Sequence, residues 1–335
     1  MKICICGGGS LGHVCAGVLS SQVDNEVSVL SEHPQKWGNE ILVEDCYGKE
    51  YKGRLSKVSK VPEEVVKNKD IVLLCLPGYL IEDTLVKIKP FIGNAKVGSI
   101  VSSTGFFFFA RKVLDEDAVL FGFQRVPYIA RVKEYGKSAS LLGYKKELAI
   151  GVRNTEDSIE TVLGKLFGTP VSKLNSFYEA ALTNSNPILH PARLYSMFKG
   201  KEDEYFDHQG LFYKEWTDEA SETAIKMDEE FFLLLDKLGI KTLPTLLDYY
   251  ESCDAESLTR KMRSIVAFER ILSPMILTEN GWKADITSRY FIEDFPFGLR
   301  WIRDLAKENE VETPIIDEVY EWGISMIPEY KCFLK

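Results

Sequence analysis

Apolar positions in the first half of the chain come in short runs, each followed by a stretch with helical spacing. Ile3 and Ile5 mark a first strand, and residues 14–19 continue as a helix rich in Ala, Val and Leu. Residues 26–30 read as a second strand. Residues 70–76, Asp-Ile-Val-Leu-Leu-Cys-Leu, form a near-continuous apolar run stopped by Pro77-Gly78, the pattern of a parallel strand covered on both faces. Further strands are expected over 96–101 and 118–123. Between them, 47–61 reads as a turn followed by short exposed extended pieces, and a helix starts at Pro62. Residues 138–152 alternate in short extended runs split by Gly143 and are expected to extend or close the sheet. This alternation of strands and helices predicts a doubly wound α/β domain.

Near Asn154 the texture changes to helical periodicity, over 158–167, 178–183, 216–238, 257–271 and 314–324. Residues 217–237 form a long amphipathic segment in which Ile225, Phe231, Phe232 and Leu235 can line an apolar stripe. The expected division is therefore an α/β domain over 1–150 and a mostly α-helical domain over 151–335, with the active site in the cleft between them. A length of 335 residues is enough for two separate cores.

Composition narrows the class. The net charge of -9 is spread through Lys/Glu-rich helical stretches, and no long Lys/Arg stripe favours a nucleic-acid partner. The longest apolar clusters, such as 106–110 and 231–235, are far below membrane-spanning length. Seven cysteines at 4, 6, 15, 46, 75, 253 and 332 show no paired framework. Cys4 and Cys6 lack a matching Cys/His pair, so no metal site is expected. The start of the chain does not read as a signal peptide. These features point to a reducing, cytoplasmic compartment.

The first strand runs into Gly7-Gly-Gly-Ser-Leu-Gly12. Gly7 allows a tight turn, Gly9 lets backbone approach a pyrophosphate, and Gly12 lets the new helix pack on the sheet. With strand before and helix after, the pattern predicts a dinucleotide-binding turn in a Rossmann-type domain, against the competing reading of a glycine-rich turn in an unrelated α/β protein. Gly7, Gly9, Ser10, Leu11 and Gly12 are the expected cofactor contacts. The 2′ group of the cofactor turns on Ser31 and Glu32 at the end of the second strand. Glu32 leans the choice to NAD, while Ser31 with His33 and Lys36 nearby keeps NADP open.

Four histidines can be weighed singly. His13 opens the first helix and suits cofactor packing or helix capping. His33 reads as an exposed loop residue that could reach the adenosine side, and His208 as a structural or substrate-mouth residue. His190 lies in Asn184-Ser-Asn-Pro-Ile-Leu-His-Pro191 and suits proton transfer beside a nicotinamide, with Asn186 one turn away to orient a polar group. The competing reading is a structural His-Pro kink. Later, Arg289 could grip a carboxylate and Asp294 could hold a histidine tautomer, against a salt bridge and a helix-capping aspartate.

Taken together, Gly7 to Gly12, Gln124-Arg-Val-Pro127 with Tyr-Ile-Ala-Arg131, Asn186-Pro-Ile-Leu-His-Pro191 and Arg289-Tyr-Phe-Ile-Glu-Asp294-Phe-Pro-Phe-Gly-Leu299 resemble the octopine/nopaline (opine) dehydrogenase family. The resemblance spans most of the chain. It implies an NAD(P)H-dependent condensation of an amino acid with a 2-oxo acid, commonly pyruvate, and reduction of the imine. It also implies that His190 is the catalytic histidine, Asp294 its partner and Arg289 the residue near the oxo-acid carboxylate, with Asn186 and Gln124 as further substrate contacts.

Two other readings remain open at this point. One is reduction of a simple oxo acid without an amine, and the other is a nucleotide-binding sensor without turnover. The expected partners are small molecules, with neither nucleic acid nor membrane, and a homodimer is one assembly such a chain could adopt.

Overall fold

The computed structural model describes residues 1–155 and 158–334, and the chain parts into two compact units, Met1–Ala181 and Leu182–Lys335. The first unit carries β1 (Lys2–Cys6), α1 (Ser10–Ser20), β2 (Glu26–Leu30), β3 (Glu40–Asp45), β4 (Glu50–Ser59), α2 (Pro62–Val66), β5 (Ile71–Leu74) and α3 (Gly78–Ile88). It continues through β6 (Lys96–Ser99), α4 (Phe106–Val113), β7 (Leu120–Phe123), β8 (Tyr128–Glu134), β9 (Ser138–Tyr144), β10 (Leu148–Arg153), α5 (Ile159–Phe167), β11 (Val171–Lys173) and α6 (Tyr178–Ala181).

Among the described residues, strands β1 to β11 join one sheet, in the order β11-β10-β7-β6-β5-β1-β2-β4-β3-β9-β8. Its centre, β4-β2-β1-β5-β6-β7, is parallel throughout. Strand order reverses between β1 and β5, and ligands of such sheets bind beyond the carboxyl ends of the strands at that point. All four residues of β5 are buried, as its apolar run requires. The doubly wound Rossmann-type fold is thus the architecture of this unit.

Three features depart from the sequence pattern. The stretch expected as short exposed pieces contains β4, a ten-residue strand parallel to β2. β3 and β8 are strands that the pattern did not announce. β3 alternates buried and exposed residues, the signature of a half-covered sheet margin. The division between units falls after Ala181, beyond the expected 150. β10 pairs with β7, β11 pairs with β10, and Phe167 of α5 meets Phe123 of β7 at 5.0 Å. The first helical segment after 154 therefore covers the sheet instead of opening a new core.

The second unit is mostly helical: α7 (Asn186–Phe198), α8 (Asp218–Lys237), α9 (Leu246–Tyr249), α10 (Ala255–Ser264), α11 (Arg289–Ile292), α12 (Arg300–Glu308) and α13 (Pro314–Met326). A hairpin of β12 (Met275–Thr278) and β13 (Gly281–Ala284) interrupts them. Thr217 caps α8 by accepting the Ala220 N–H at 3.3 Å. The buried face of α8 centres on Ala224, Met227, Phe231, Leu234 and Leu235, while Ile225 and Phe232 of the expected stripe are only half-buried. No helix among the described residues is long and apolar enough to cross a membrane.

Candidate active site

Helix α1 starts immediately after the glycine turn. Its N-cap is Gly9, whose extended backbone carries no side chain to cap the helix, so the N–H groups of Ser10, Leu11 and Gly12 face outward without a capping side chain. A Cβ at Gly9 would meet nothing within 4 Å. At Gly7, with φ +122°, a Cβ would stand 2.5 Å from the Cys75 carbonyl oxygen, and at Gly12 it would stand 2.1 Å from that of Gly7. Gly7 and Gly12 are thus fixed by the fold, whereas Gly9 faces free space, as approach of a pyrophosphate requires. The Ser10 hydroxyl accepts the Val132 N–H at 3.3 Å, and Leu11 packs against the core.

A cavity of about 200 Å³ adjoins this turn, lined by Gly7, Gly8, Ser31, Glu32, Lys87 and Tyr135 among others. Ser31 is buried, and its Oγ is engaged by the Trp37 Nε1–H at 3.2 Å and the His33 N–H at 3.3 Å. The Glu32 side chain is 80% exposed, with Lys87 Nζ at 3.9 Å. Of the two residues at the end of β2, Glu32 therefore has its polar atoms available. Tyr135, which the sequence pattern did not single out, closes on Gly8 so tightly that a Cβ there would lie 2.3 Å from the phenol oxygen.

His13 ties these pieces together. Its Nε2 accepts the Gly136 N–H at 2.7 Å, which leaves the proton on Nδ1 to be donated to the Gly9 carbonyl at 2.9 Å. The ring stacks on Trp37 at 4.3 Å and meets Tyr135 edge-on at 4.9 Å. Burial lowers its pKa, in keeping with a neutral imidazole. His33 and His208 are exposed, and His208 lies 3.8 Å from Glu215.

In the second unit, His190 and Asp294 come together. Pro187 and Pro191 both lie in α7, and a Cβ at Gly298 would stand 3.0 Å from the Pro187 side chain. That close approach brings the start of α7 against the π-helical turn Phe295–Leu299, which follows Asp294 directly. The His190 Nδ1–H donates to Asp294 Oδ2 at 2.7 Å, and the two side chains are 11% and 16% exposed. Asp294 does not cap the turn that follows it.

On the other side of the ring, His190 Nε2 and the Tyr213 hydroxyl are 2.8 Å apart. Tyr290 packs edge-on against the imidazole at 4.6 Å, and Phe212 at 5.7 Å. Burial pushes the Tyr213 phenol well above its ordinary pKa and raises that of Tyr290.

The remaining expected contacts are placed differently. The Arg289 side chain is 83% exposed and donates to Glu293 Oε2 at 3.0 Å. Asn186 is exposed in the first turn of α7. Gln124, in the first unit, donates its Nε2–H to the Glu179 carbonyl at 2.9 Å and so joins the end of β7 to α6. Tyr213 and Tyr290 are absent from the sequence-based candidates. An aromatic residue 23 positions beyond the histidine has no periodic relation to it, and only the fold brings it there.

Residues 173–327 match the model of the NAD/NADP octopine/nopaline dehydrogenase α-helical domain. The match places this helical part of the chain in the octopine/nopaline dehydrogenase family. It is 25% identical to octopine dehydrogenase of Mizuhopecten yessoensis, over 96% of this chain and 89% of the relative. It is 26% identical to tauropine dehydrogenase of Arabella iricolor, over 95% and 89%. A solved octopine dehydrogenase with NADH and L-arginine superposes with a TM-score of 0.88 at 22% identity, covering 98% of this chain and 89% of that one.

Proposed function

We propose that the protein catalyses NAD(P)H-dependent condensation of an amino acid with a 2-oxo acid such as pyruvate, giving an opine. The observation that carries this reading is the His190–Asp294 pair at 2.7 Å, in the part of the chain that matches this family. The named activities of its relatives, octopine and tauropine dehydrogenation, support the same class.

The turn fits a dinucleotide: the N–H groups of Ser10, Leu11 and Gly12 would take the pyrophosphate, with Gly9 leaving room for it. Glu32 would accept the ribose hydroxyls, which favours NAD over NADP. The bound nicotinamide would supply the hydride that reduces the imine carbon. The protein's own groups manage protons and orientation. Asp294 holds the proton on Nδ1 of His190 and stabilises the imidazolium, so that His190 serves as the acid when the carbonyl oxygen departs as water. Arg289 would exchange Glu293 for the oxo-acid carboxylate, which its planar fork can grip through both oxygens. Asn186, one turn before His190, would bind a polar group of the amino acid.

The test is a panel of amino acids and 2-oxo acids offered with NADH and NADPH. Amine-dependent cofactor oxidation, faster with NADH, supports the reading. Oxidation with an oxo acid alone, giving a hydroxy acid, assigns the simpler reductase reaction instead. In the same panel, Arg289→Lys should raise the KM for the oxo acid.

A further inference from the structure

Neither nitrogen of the His190 ring is left for a substrate: Nδ1 is held by Asp294 and Nε2 by the Tyr213 hydroxyl. An acid that must reach a reacting oxygen from this position either sheds Tyr213 or works through it. The packing around Tyr213 decides between the two. Its ring lies stacked on Phe268 at 4.3 Å and on Trp216 at 5.9 Å, and the residue is 7% exposed.

Its backbone is held as firmly. Arg193, buried on α7 and three residues beyond His190, donates Nε–H to the Phe212 carbonyl at 3.1 Å and Nη2–H to the Glu215 carbonyl at 2.7 Å. Arg263 donates Nε–H to the Trp216 carbonyl at 2.7 Å. The helix that carries the imidazole thus also fixes the segment that carries the phenol. With the backbone held, swinging Tyr213 off Nε2 would break two ring stacks, whereas passing a proton through its hydroxyl moves only hydrogens.

We propose that Tyr213 is the terminal member of a proton relay Asp294–His190–Tyr213, and that its phenol hydroxyl, rather than the imidazole, meets the reacting oxygen. This rests on the condensation reaction proposed above. In the step that expels water from the amine adduct, the C–O bond breaks and its electron pair stays with oxygen. Tyr213 gives its hydroxyl hydrogen to that oxygen while taking the Nε2 hydrogen of protonated His190. The phenol ends as it began, the imidazole is left neutral with Nδ1–H on Asp294, the adduct becomes an iminium ion, and water departs. His190 regains its proton from solvent before the next turnover. Burial keeps the phenol protonated between turnovers, so it is always an O–H donor at the start of the step.

The relay is tested by Tyr213→Phe in the full chain, which keeps the ring between Phe268 and Trp216 and removes only the oxygen. With folding verified by thermal unfolding and NADH affinity unchanged, kcat for amine-dependent turnover should fall roughly a hundredfold to ten-thousandfold. Retention of kcat within about threefold, or a rise from uncapping Nε2, overturns the relay, that factor being small beside any general-acid contribution. Should Tyr213→Phe fold poorly, 3,5-difluorotyrosine placed at 213 keeps ring and hydroxyl but makes the phenol more acidic. A relay then changes kcat several-fold at fixed pH, and an unchanged kcat overturns it. A wild-type protein without amine-dependent turnover removes the reaction itself. A wild-type protein with it, beside a fully active Tyr213→Phe, removes the relay alone.

Discussion

His190 and Asp294 lie 104 positions apart in the sequence and meet at 2.7 Å between Nδ1 and Oδ2. The carboxylate fixes which ring nitrogen carries the proton, and so leaves Nε2 as the working side of the imidazole. Replacing Asp294 by Asn keeps an acceptor of similar shape but removes the charge that stabilises the imidazolium. Asp294→Asn is expected to lower kcat by roughly a hundredfold to ten-thousandfold. NADH affinity should stay unchanged, because the glycine turn belongs to the other compact unit. Steady-state kinetics beside a fluorescence titration of NADH checks both halves of the expectation.

The glycines of the turn should separate folding from binding. Gly9 has ordinary extended backbone and open space at its Cβ position, so Gly9→Val should fold normally and lose most dinucleotide affinity. Gly12→Ala forces a methyl group to within 2.1 Å of the Gly7 carbonyl oxygen and should instead lower stability, by about 1–3 kcal/mol on the scale of overpacked sites. Titration with NADH and thermal unfolding of the two variants distinguish these effects. Undiminished affinity in Gly9→Val would place the pyrophosphate elsewhere.

His13 gives a pH dependence of known sign. Its Nε2 accepts the Gly136 N–H only while the ring is neutral, and burial holds its folded pKa below the ordinary value near 6.5. The contribution is complete above that ordinary value and is lost as pH falls through the folded one. Stability of the first unit and NADH affinity should therefore weaken together on acidification. His13→Phe keeps the stack on Trp37 but strands the Gly136 N–H, at a cost of about 1–3 kcal/mol. Unfolding and NADH titrations from neutral to mildly acidic pH should show the shared loss in the wild type and its attenuation in the variant.

Asp228 should act in the opposite direction. It lies buried on α8, where Oδ1 accepts the Asn184 Nδ2–H at 2.8 Å and Oδ2 the Leu246 N–H at 2.7 Å. Burial nevertheless outweighs these bonds and pushes its pKa up to about 6. A folded pKa above the unfolded value favours the folded state below the unfolded pKa, and that gain is lost as pH rises through about 6. The effect is on the order of 2–3 kcal/mol. Asp228→Asn should flatten this pH dependence, as read from denaturant unfolding of the second unit over that range.

The parts of the molecule legible in the sequence are those set by local chemistry. The run at 70–76 had to be a buried parallel strand, and Gly7 to Gly12 between strand and helix had to be a tight turn. The parts that were not legible depend on contacts between distant segments. Tyr135 reaches Gly8 because β8 and β9 extend the sheet beyond β3, and nothing in the local pattern around 135 announces that wall. The unit boundary was displaced because α5 has the periodicity of any surface helix, and only its packing against β7 shows which core it serves. At the candidate site, the residues alone left His190 and Asp294 open between chemistry and structure, and the family resemblance named them as a pair. Tyr213 could not be named, because its role depends on the backbone being held by Arg193 and Arg263.

The most direct test of the account is the mass of the product formed by the purified protein from NADH, pyruvate and a mixture of amino acids. The account predicts a secondary amine dicarboxylate, whose mass is that of amino acid plus pyruvate less one oxygen, formed with stoichiometric NADH oxidation and absent in His190→Ala. Lactate as the sole product, formed at the same rate without any amino acid, would contradict it.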